Sequence, residues 1–283
     1  MGISVDPDVS LEGTGFIRAG FIGPAMPLEA AKQLLVANAY DQFFSVVRAD
    51  TDDLLDAAYR LRYQVYCVEN PFENPREHRE EREIDGEDDR SDHCVLIYRR
   101  TGLIAGTVRL ILPAPNPQDR PLPVDRILSA DSQSLFRRLL PVSTAEISRF
   151  AVSKQFRRRI GEHRYADVGF TGTRPNEVEQ RLMPWITFGL LRGILAMSLE
   201  HGITHLCAVM EPALLRLIGR LGLTFQPLGP LVEYHGLRQP CFMALAEVLP
   251  RVHDLQPDLW AYAAADQVGS FPPAATRLSL VKG

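Results

Sequence analysis

Glu146 and Arg149 sit in Glu146-Ile147-Ser148-Arg149-Phe150-Ala151-Val152, a run otherwise rich in apolar, aromatic and β-branched residues. That composition predicts a buried strand. Side chains alternate across a strand, so Glu146, Ser148 and Phe150 share one face, and Ile147, Arg149 and Ala151 the other. A buried acid and a buried base must be paired or used. Burial can raise a carboxylate's pKa toward the range of a general base, and a nearby arginine opposes that rise. Taken alone, the two charges fit a structural ion pair as well as a catalytic centre. Being on opposite faces, they reach one pocket only if the strand bulges or twists.

Four further charged residues are candidates for the same centre: Arg62, Asp85, Asp88 and Arg109. Arg62 lies at the end of a helical stretch, residues 52–62, for which Thr51 is a plausible N-cap with Asp52 and Asp53 in the first turn. Asp85 and Asp88 fall in an acidic segment in which residues 73–92 hold ten carboxylates and four arginines. With Pro71 and Pro75 and little apolar content, residues 70–92 read as a long, partly mobile loop, where carboxylates are commonly just solvated. Arg109, between Val108 and Leu110, fits the exposed face of a hairpin as well as a site. The seven histidines show no ligand spacing; His93 and His235 are candidates to line the site, with a hydrogen-bonded structural role as the default.

The rest of the chain must position these groups. Its 283 residues, 46% hydrophobic, supply a sizeable core, and a net charge of -4 argues against nucleic-acid binding. No Cys-x-x-Cys pair or zinc spacing exists among the four cysteines, so no metal site is expected, and a reducing cytoplasm fits them. No secretory signal or membrane-spanning run is visible. Residues 1–42 read as an arm followed by a helix at 27–38, and residues 251–283 as an appended tail. Between them come a strand at 43–48, the 52–62 helix, a hairpin of strands at 93–99 and 104–112, and a weak helix at 132–139. The Glu146 strand follows, then a helix at 184–200, a strand at 205–210, a short helix from Pro212, and strands at 224–227 and 241–248. This alternation predicts one α/β domain over residues 43–250: a mixed sheet with helices on both faces.

That order resembles the GNAT acyltransferase fold. Arg62-x-x-x-Tyr66, Glu83-Ile84-Asp85-Gly86-Glu87-Asp88, Gly106-Thr107-Val108-Arg109-Leu110 and Glu146-Ile147-Ser148-Arg149-Phe150 resemble, in order, the signature blocks of acyl-homoserine-lactone synthases. The text around Arg62 to Asn70 and Tyr234 to Pro240 is more similar to the N-acyl amino acid synthase-like acyltransferases associated with PEP-CTERM/exosortase systems. The resemblance spans roughly residues 43–250. It implies an N-acyltransferase that moves a fatty acyl group from a phosphopantetheine thioester to an amino acid or similar amine, with no tightly bound cofactor. Glu146 is then the general base, directly or through one water, with Arg149 beside it. Arg62, Asp85, Asp88 and Arg109 surround the acceptor.

The resemblance also implies a slot between the Glu146 strand and the 205–210 strand, where backbone groups of Phe150, Ala151 and Val152 hold the pantetheine arm. Trp185, Phe188 and Met210 are candidate surfaces for the acyl chain. Arg158 and Gly161 match the donor loop, but His163 stands where that loop has a small residue. A pyrophosphate cradle needs small residues and free backbone N–H groups, so a donor on an acyl-carrier protein fits better than acyl-CoA. Arg157, Arg158, Arg159 and Arg164 form a basic cluster suited to such an acidic partner. The alternatives are an acyl-homoserine-lactone synthase using S-adenosylmethionine, an acetyl-CoA-dependent GNAT enzyme, and a non-catalytic acyl-carrier or lipid-binding module.

Overall fold

The computed structural model describes residues 40–116, 119–139, 142–154, 156, 186–219, 222–248 and 250. The expected helix at 27–38, the 157–180 insert with Arg158 and Gly161, Trp185 and the tail lie outside the described residues.

Strand β1 (Phe44–Arg48) leads into helix α1 (Asp52–Tyr63). Thr51 caps that helix, its Oγ1 accepting the Leu54 N–H at 3.4 Å, as the sequence predicts. The helix runs on through a π-helical stretch, Gln64–Glu69, closed by the Asn70 N–H on the Val65 carbonyl at 3.0 Å. Strands β2 (Ser91–Tyr98) and β3 (Leu103–Ile111) form the expected hairpin, turning through Gly102 at φ 71°. Helices α2 (Pro123–Ile127) and α3 (Ala130–Leu139) precede β4 (Thr144–Val152). Helix α4 (Ile186–Glu200), strand β5 (His205–Met210) and helix α5 (Pro212–Gly219) follow, then β6 (Gln226–Pro227), β7 (Val232–Glu233) and β8 (Leu237–Ala244).

The strands make one sheet in the order β1-β2-β3-β4-β5-β8-β6, with β7 paired to β8. All neighbours are antiparallel except β4 and β5. Along β1 and β2, Val46, Cys94 and Leu96 face α4, while Val47, Val95 and Ile97 face α1. Helix α5 adds Leu214, Leu215 and Ile218 to the α4 side. Leu122, Val124 and Leu128, around α2, pack with Ile111 and Cys207 on the opposite side. The sheet is therefore covered on both faces, as expected. On the α4 side Gly189 and Gly193 let the helix lie against the strands. A Cβ on Gly189 would stand 2.5 Å from Tyr40 Oη, and one on Gly193 would overlap Cys94 Sγ.

Three expectations are corrected. Residues 70–90 form no open loop: they fold into three short 3-10 turns (Pro75–Glu77, Arg79–Glu81, Asp88–Arg90), and Glu83 is fully buried. The last strand does not run from 241 to 248. It spans Leu237–Ala244, and residues 245–248 turn helical after the Leu245 N–H bonds the Thr204 carbonyl. No helix is expected between residues 112 and 132, where α2 (Pro123–Ile127) and the start of α3 at Ala130 lie.

Strands β4 and β5 pair over four residues only, Thr144↔His205 to Ile147↔Ala208. Beyond that point Ser148 to Val152 and Val209 to Met210 part, which opens the expected slot.

Candidate active site

The β3–β4 register resolves how Glu146 and Arg149 serve one pocket. Thr107 pairs with Ala151 and Arg109 with Ser148, so β4 carries one residue more than β3 between these pairs. That is a β-bulge. Arg149 sits in it with φ 47°, a left-handed conformation that disfavours a residue bearing Cβ. The reversal puts the Arg149 guanidinium on the Glu146 and Ser148 side of the sheet, against the acidic segment.

An ionic network fills that side. Arg62, itself fully buried, donates to Glu83 at 2.5 Å and, through both terminal nitrogens, to Asp88 at 2.6 and 3.0 Å. Arg109 donates to Ser148 Oγ at 2.8 Å, to Asp85 at 2.6 and 3.0 Å and to Asp88 at 2.9 Å. Arg149 donates to Glu83 at 2.8 Å and to Asp85 and Glu73 at 3.1 Å each. Burial pushes the Glu83, Asp85 and Asp88 carboxyls up, but their arginine partners outweigh it and hold all three below the usual carboxylate range. Asp88, gripped by Arg62 with Arg109 beside it, is held far below. Tyr59 and Tyr66 place their rings under the Arg62 and Arg149 guanidiniums at 5.2 and 5.4 Å.

Glu146 stands apart from this network. Ile111 and Cys207 flank it in the sheet, and it is 4% exposed. Among the described residues its hydrogen-bond partner is the Val124 N–H of α2, at 2.8 Å. Burial pushes its pKa up to about 7; the Val124 N–H and the Arg109 charge pull the other way without prevailing. The arginines that chiefly oppose the rise are thus Arg109 and, more weakly, Arg90, and not Arg149.

A cavity of about 970 Å³ runs from this carboxylate through the β4–β5 slot. Asp85, Arg109, Glu146, Ser148 and Arg149 line its polar end; Leu191, Leu195, Met210, Leu214, Ile218 and Leu223 line the apolar end beneath α4 and α5. Phe150, Ala151 and Val152 lie along the slot. The Ser153 N–H bonds β3 at Ala105, so the alternating peptide groups of Val152 and Phe150 face the slot. The Phe150 carbonyl already accepts the Tyr66 hydroxyl at 3.3 Å.

The structure thus gathers Arg62, Asp85, Asp88, Arg109, Glu146 and Arg149 on one side of the sheet, in two layers. Arg62 and Asp88 brace from below; Asp85, Arg109, Arg149 and Glu146 meet the cavity. Met210 lines the apolar end, whereas Phe188 is packed in the core and not on the cavity wall. His93 is likewise not at the site: it is buried between Tyr59 and Asp88, and burial with the Arg62 charge lowers its pKa to about 4. His235 does line the cavity, on a β7–β8 hairpin tip packed against Phe72. Sequence reasoning missed Glu83, which bridges Arg62 and Arg149, and also Glu73 and Ser148. Counting charge was the available signal, since three buried arginines call for several buried acids.

The split sheet, the bulged β4 and the cavity between its strands make a GNAT-like fold, and residues 61–165 match the acetyltransferase (GNAT) domain family. Solved structures share the fold at low identity. The acyl-homoserine-lactone synthase LasI is 19% identical, covering 75% of this chain and 94% of its own, at a TM-score of 0.50. FeeM, an N-acyl amino acid synthase from uncultured soil microbes, is 18% identical, covering 75% and 97%, at 0.50. BjaI, a CoA-dependent acyl-homoserine lactone synthase solved with SAM and isopentyl-CoA, is 18% identical, covering 79% and 99%, at 0.50. Among curated proteins none matches in sequence. Among the described residues no helix is long and apolar enough to cross a membrane.

Proposed function

We propose that this protein transfers a fatty acyl group from a phosphopantetheine thioester to the amine of an amino acid or similar acceptor, with Glu146 as general base. The observation that carries this reading is a nearly neutral-range carboxylate at the junction of a charged and an apolar compartment. The acceptor ammonium enters from the charged side. Three guanidiniums (Arg62, Arg109, Arg149) face four carboxylates (Glu73, Glu83, Asp85, Asp88), which leaves one negative charge to favour it. The forks of Arg62 and Arg109 are engaged by Asp88 and Asp85, so the network serves the acceptor's ammonium end more than its carboxylate.

Glu146 takes one proton from the ammonium, directly or through one water. The free amine attacks the thioester carbonyl; as the tetrahedral intermediate collapses, the C–S bond breaks, the nitrogen gives up its second proton to water, and the thiolate leaves with the proton that Glu146 returns. A base with a pKa near the working pH contributes about 10²- to 10⁴-fold. Holding amine and thioester at the two ends of one slot supplies the proximity term. The arm lies along Phe150, Ala151 and Val152, and the chain fills the apolar end. The donor is carried by an acyl-carrier protein in the cytoplasm, in a PEP-CTERM/exosortase-associated setting; Arg158 and Gly161, the expected donor-loop residues, lie outside the described residues.

A second reading, acyl-homoserine-lactone synthesis from S-adenosylmethionine, draws support from the folds of LasI and BjaI. Lipid mass spectrometry of an overexpressing host decides between them. N-acyl amino acids support the first reading, and lactones alone replace it by the second. Glu146→Gln should abolish turnover while leaving donor binding intact; undiminished turnover removes Glu146 as base.

A further inference from the structure

The strap over Glu146 is made of the described residues of 112–116 and 119–127, among which helix is confined to the five residues of α2. So short a helix does not fix its own orientation, yet its Val124 N–H is aimed at the Glu146 carboxylate at 2.8 Å. We propose that Arg90 is a positioning residue for Glu146: it ties this strap to the acidic segment and so holds the Val124 amide in place. The inference rests on the reading of Glu146 as base.

The Arg90 side chain is 11% exposed, and every nitrogen of its fork has a partner. Nε donates to Glu87 at 2.8 Å; the two terminal nitrogens donate to the Arg120 and Pro121 carbonyls, each at 2.9 Å. Its own carbonyl accepts the Leu112 N–H at 3.1 Å. One residue therefore pins both the start of the strap and the turn just before α2. A lysine could not span a carboxylate and two carbonyls in this planar arrangement. Beyond the pinned turn, Leu122 and Val124 are buried with Ile111 and Cys207, the residues that flank Glu146 in the sheet. Glu87 adds a second grip, accepting Arg126 at 3.0 Å from the far end of α2, and Asp89 binds Arg120 at 2.8 and 2.9 Å. The mechanism uses none of these residues directly.

The groups acting on Glu146 are the Val124 amide from α2, Arg109 from β3, Glu87 and Arg90 from the acidic segment, Cys207 from β5 and Tyr234 from the β7–β8 hairpin. The Val124 amide, Arg109 and Arg90 favour the ionised carboxylate, and Glu87 opposes it. Releasing the strap removes the Val124 hydrogen bond but also admits water to a carboxylate whose pKa is raised first by burial; burial is the larger cause, so Glu146 gives up its proton at lower pH.

The test uses Arg90→Lys and Arg90→Ala in the full chain. In kcat/KM against pH for Arg90→Lys, which keeps the positive charge, with an acyl thioester and an amine acceptor, the acidic limb should move down by about one pH unit, about a tenfold gain below the parent's limb. The high-pH plateau should be retained. An unmoved limb, with or without a lowered plateau, overturns the proposal, since a merely structural role lowers the plateau alone. Amide hydrogen exchange at Leu122 and Val124 is the second readout and needs no turnover. It should be slow in the parent and faster in Arg90→Lys; fast exchange in the parent, or equal exchange in both, overturns the strap. If Glu146→Gln keeps its activity, the base reading fails while exchange still reports on the strap.

Discussion

Glu146→Gln should make the protein more stable at alkaline pH while removing its activity. The folded-state pKa of Glu146 lies at about 7, against an ordinary value of 4.5. Between those values the folded chain keeps a proton that the unfolded chain has released, so this group's contribution falls as pH rises through the window. Above it the deficit is constant, at about 3 kcal/mol from 1.36 kcal/mol per pH unit. Glutamine has nearly the same shape, keeps an oxygen for the Val124 N–H and never ionises. Urea unfolding of parent and variant should therefore agree near pH 4 and diverge by up to about 3 kcal/mol at pH 8.5. Comparing the two proteins at each pH cancels the titration of every other group. Equal stabilities at pH 8.5, or a less stable variant there, would refute the view that burial dominates this carboxylate. The gain in stability for a loss of function is the trade expected of a buried catalytic group.

Arg62→Ala leaves Glu83 and Asp88 buried without their partner and should cost about 3–5 kcal/mol in chemical unfolding. Glu83, Asp85 and Asp88 titrate below their ordinary range when folded, so the stability they contribute is full above about pH 4 and is lost as pH falls through their depressed values. A melting temperature that drops steeply as pH falls below about 4 is the expected sign, and a flat profile there contradicts it. Gly193→Ala drives a methyl into Cys94 Sγ and should destabilise by about 1–3 kcal/mol, measured the same way. Leu191→Trp narrows the apolar end of the cavity and should shift products toward shorter acyl chains, read as lower product masses.

Local chemistry made much of the architecture readable. The run from Glu146 to Val152 announced a buried strand, Thr51 announced its helix, and the 205–210 strand has the bounds expected of it. The splay of β4 and β5 followed from the family resemblance and is present. The bulge that unites Glu146 with Arg149 had no local signal, because a left-handed arginine is stabilised by Glu83, Asp85 and Glu73 and not by its neighbours in sequence. Glu83 was indistinguishable within a run of acids, and the apolar neighbour Ile84 misleads by being exposed. Strand β8 ended early because the backbone turned to meet Thr204, a contact 41 positions away that continuous apolar sequence cannot report.

The parting of β4 and β5 leaves the sheet as two leaves joined along four residue pairs. One leaf carries the charges of β3 and β4; the other carries Val209, Met210 and the strands beyond them. What lies between is a cavity whose apolar end, lined by Leu191, Met210 and Leu214, is filled by no side chain among the described residues. An acyl chain seated there becomes a temporary piece of hydrophobic core, gripping both leaves as a missing leucine or phenylalanine would. Substrate and scaffold then share one cohesion: the loaded protein is the better-packed one, and releasing product means reopening its interior.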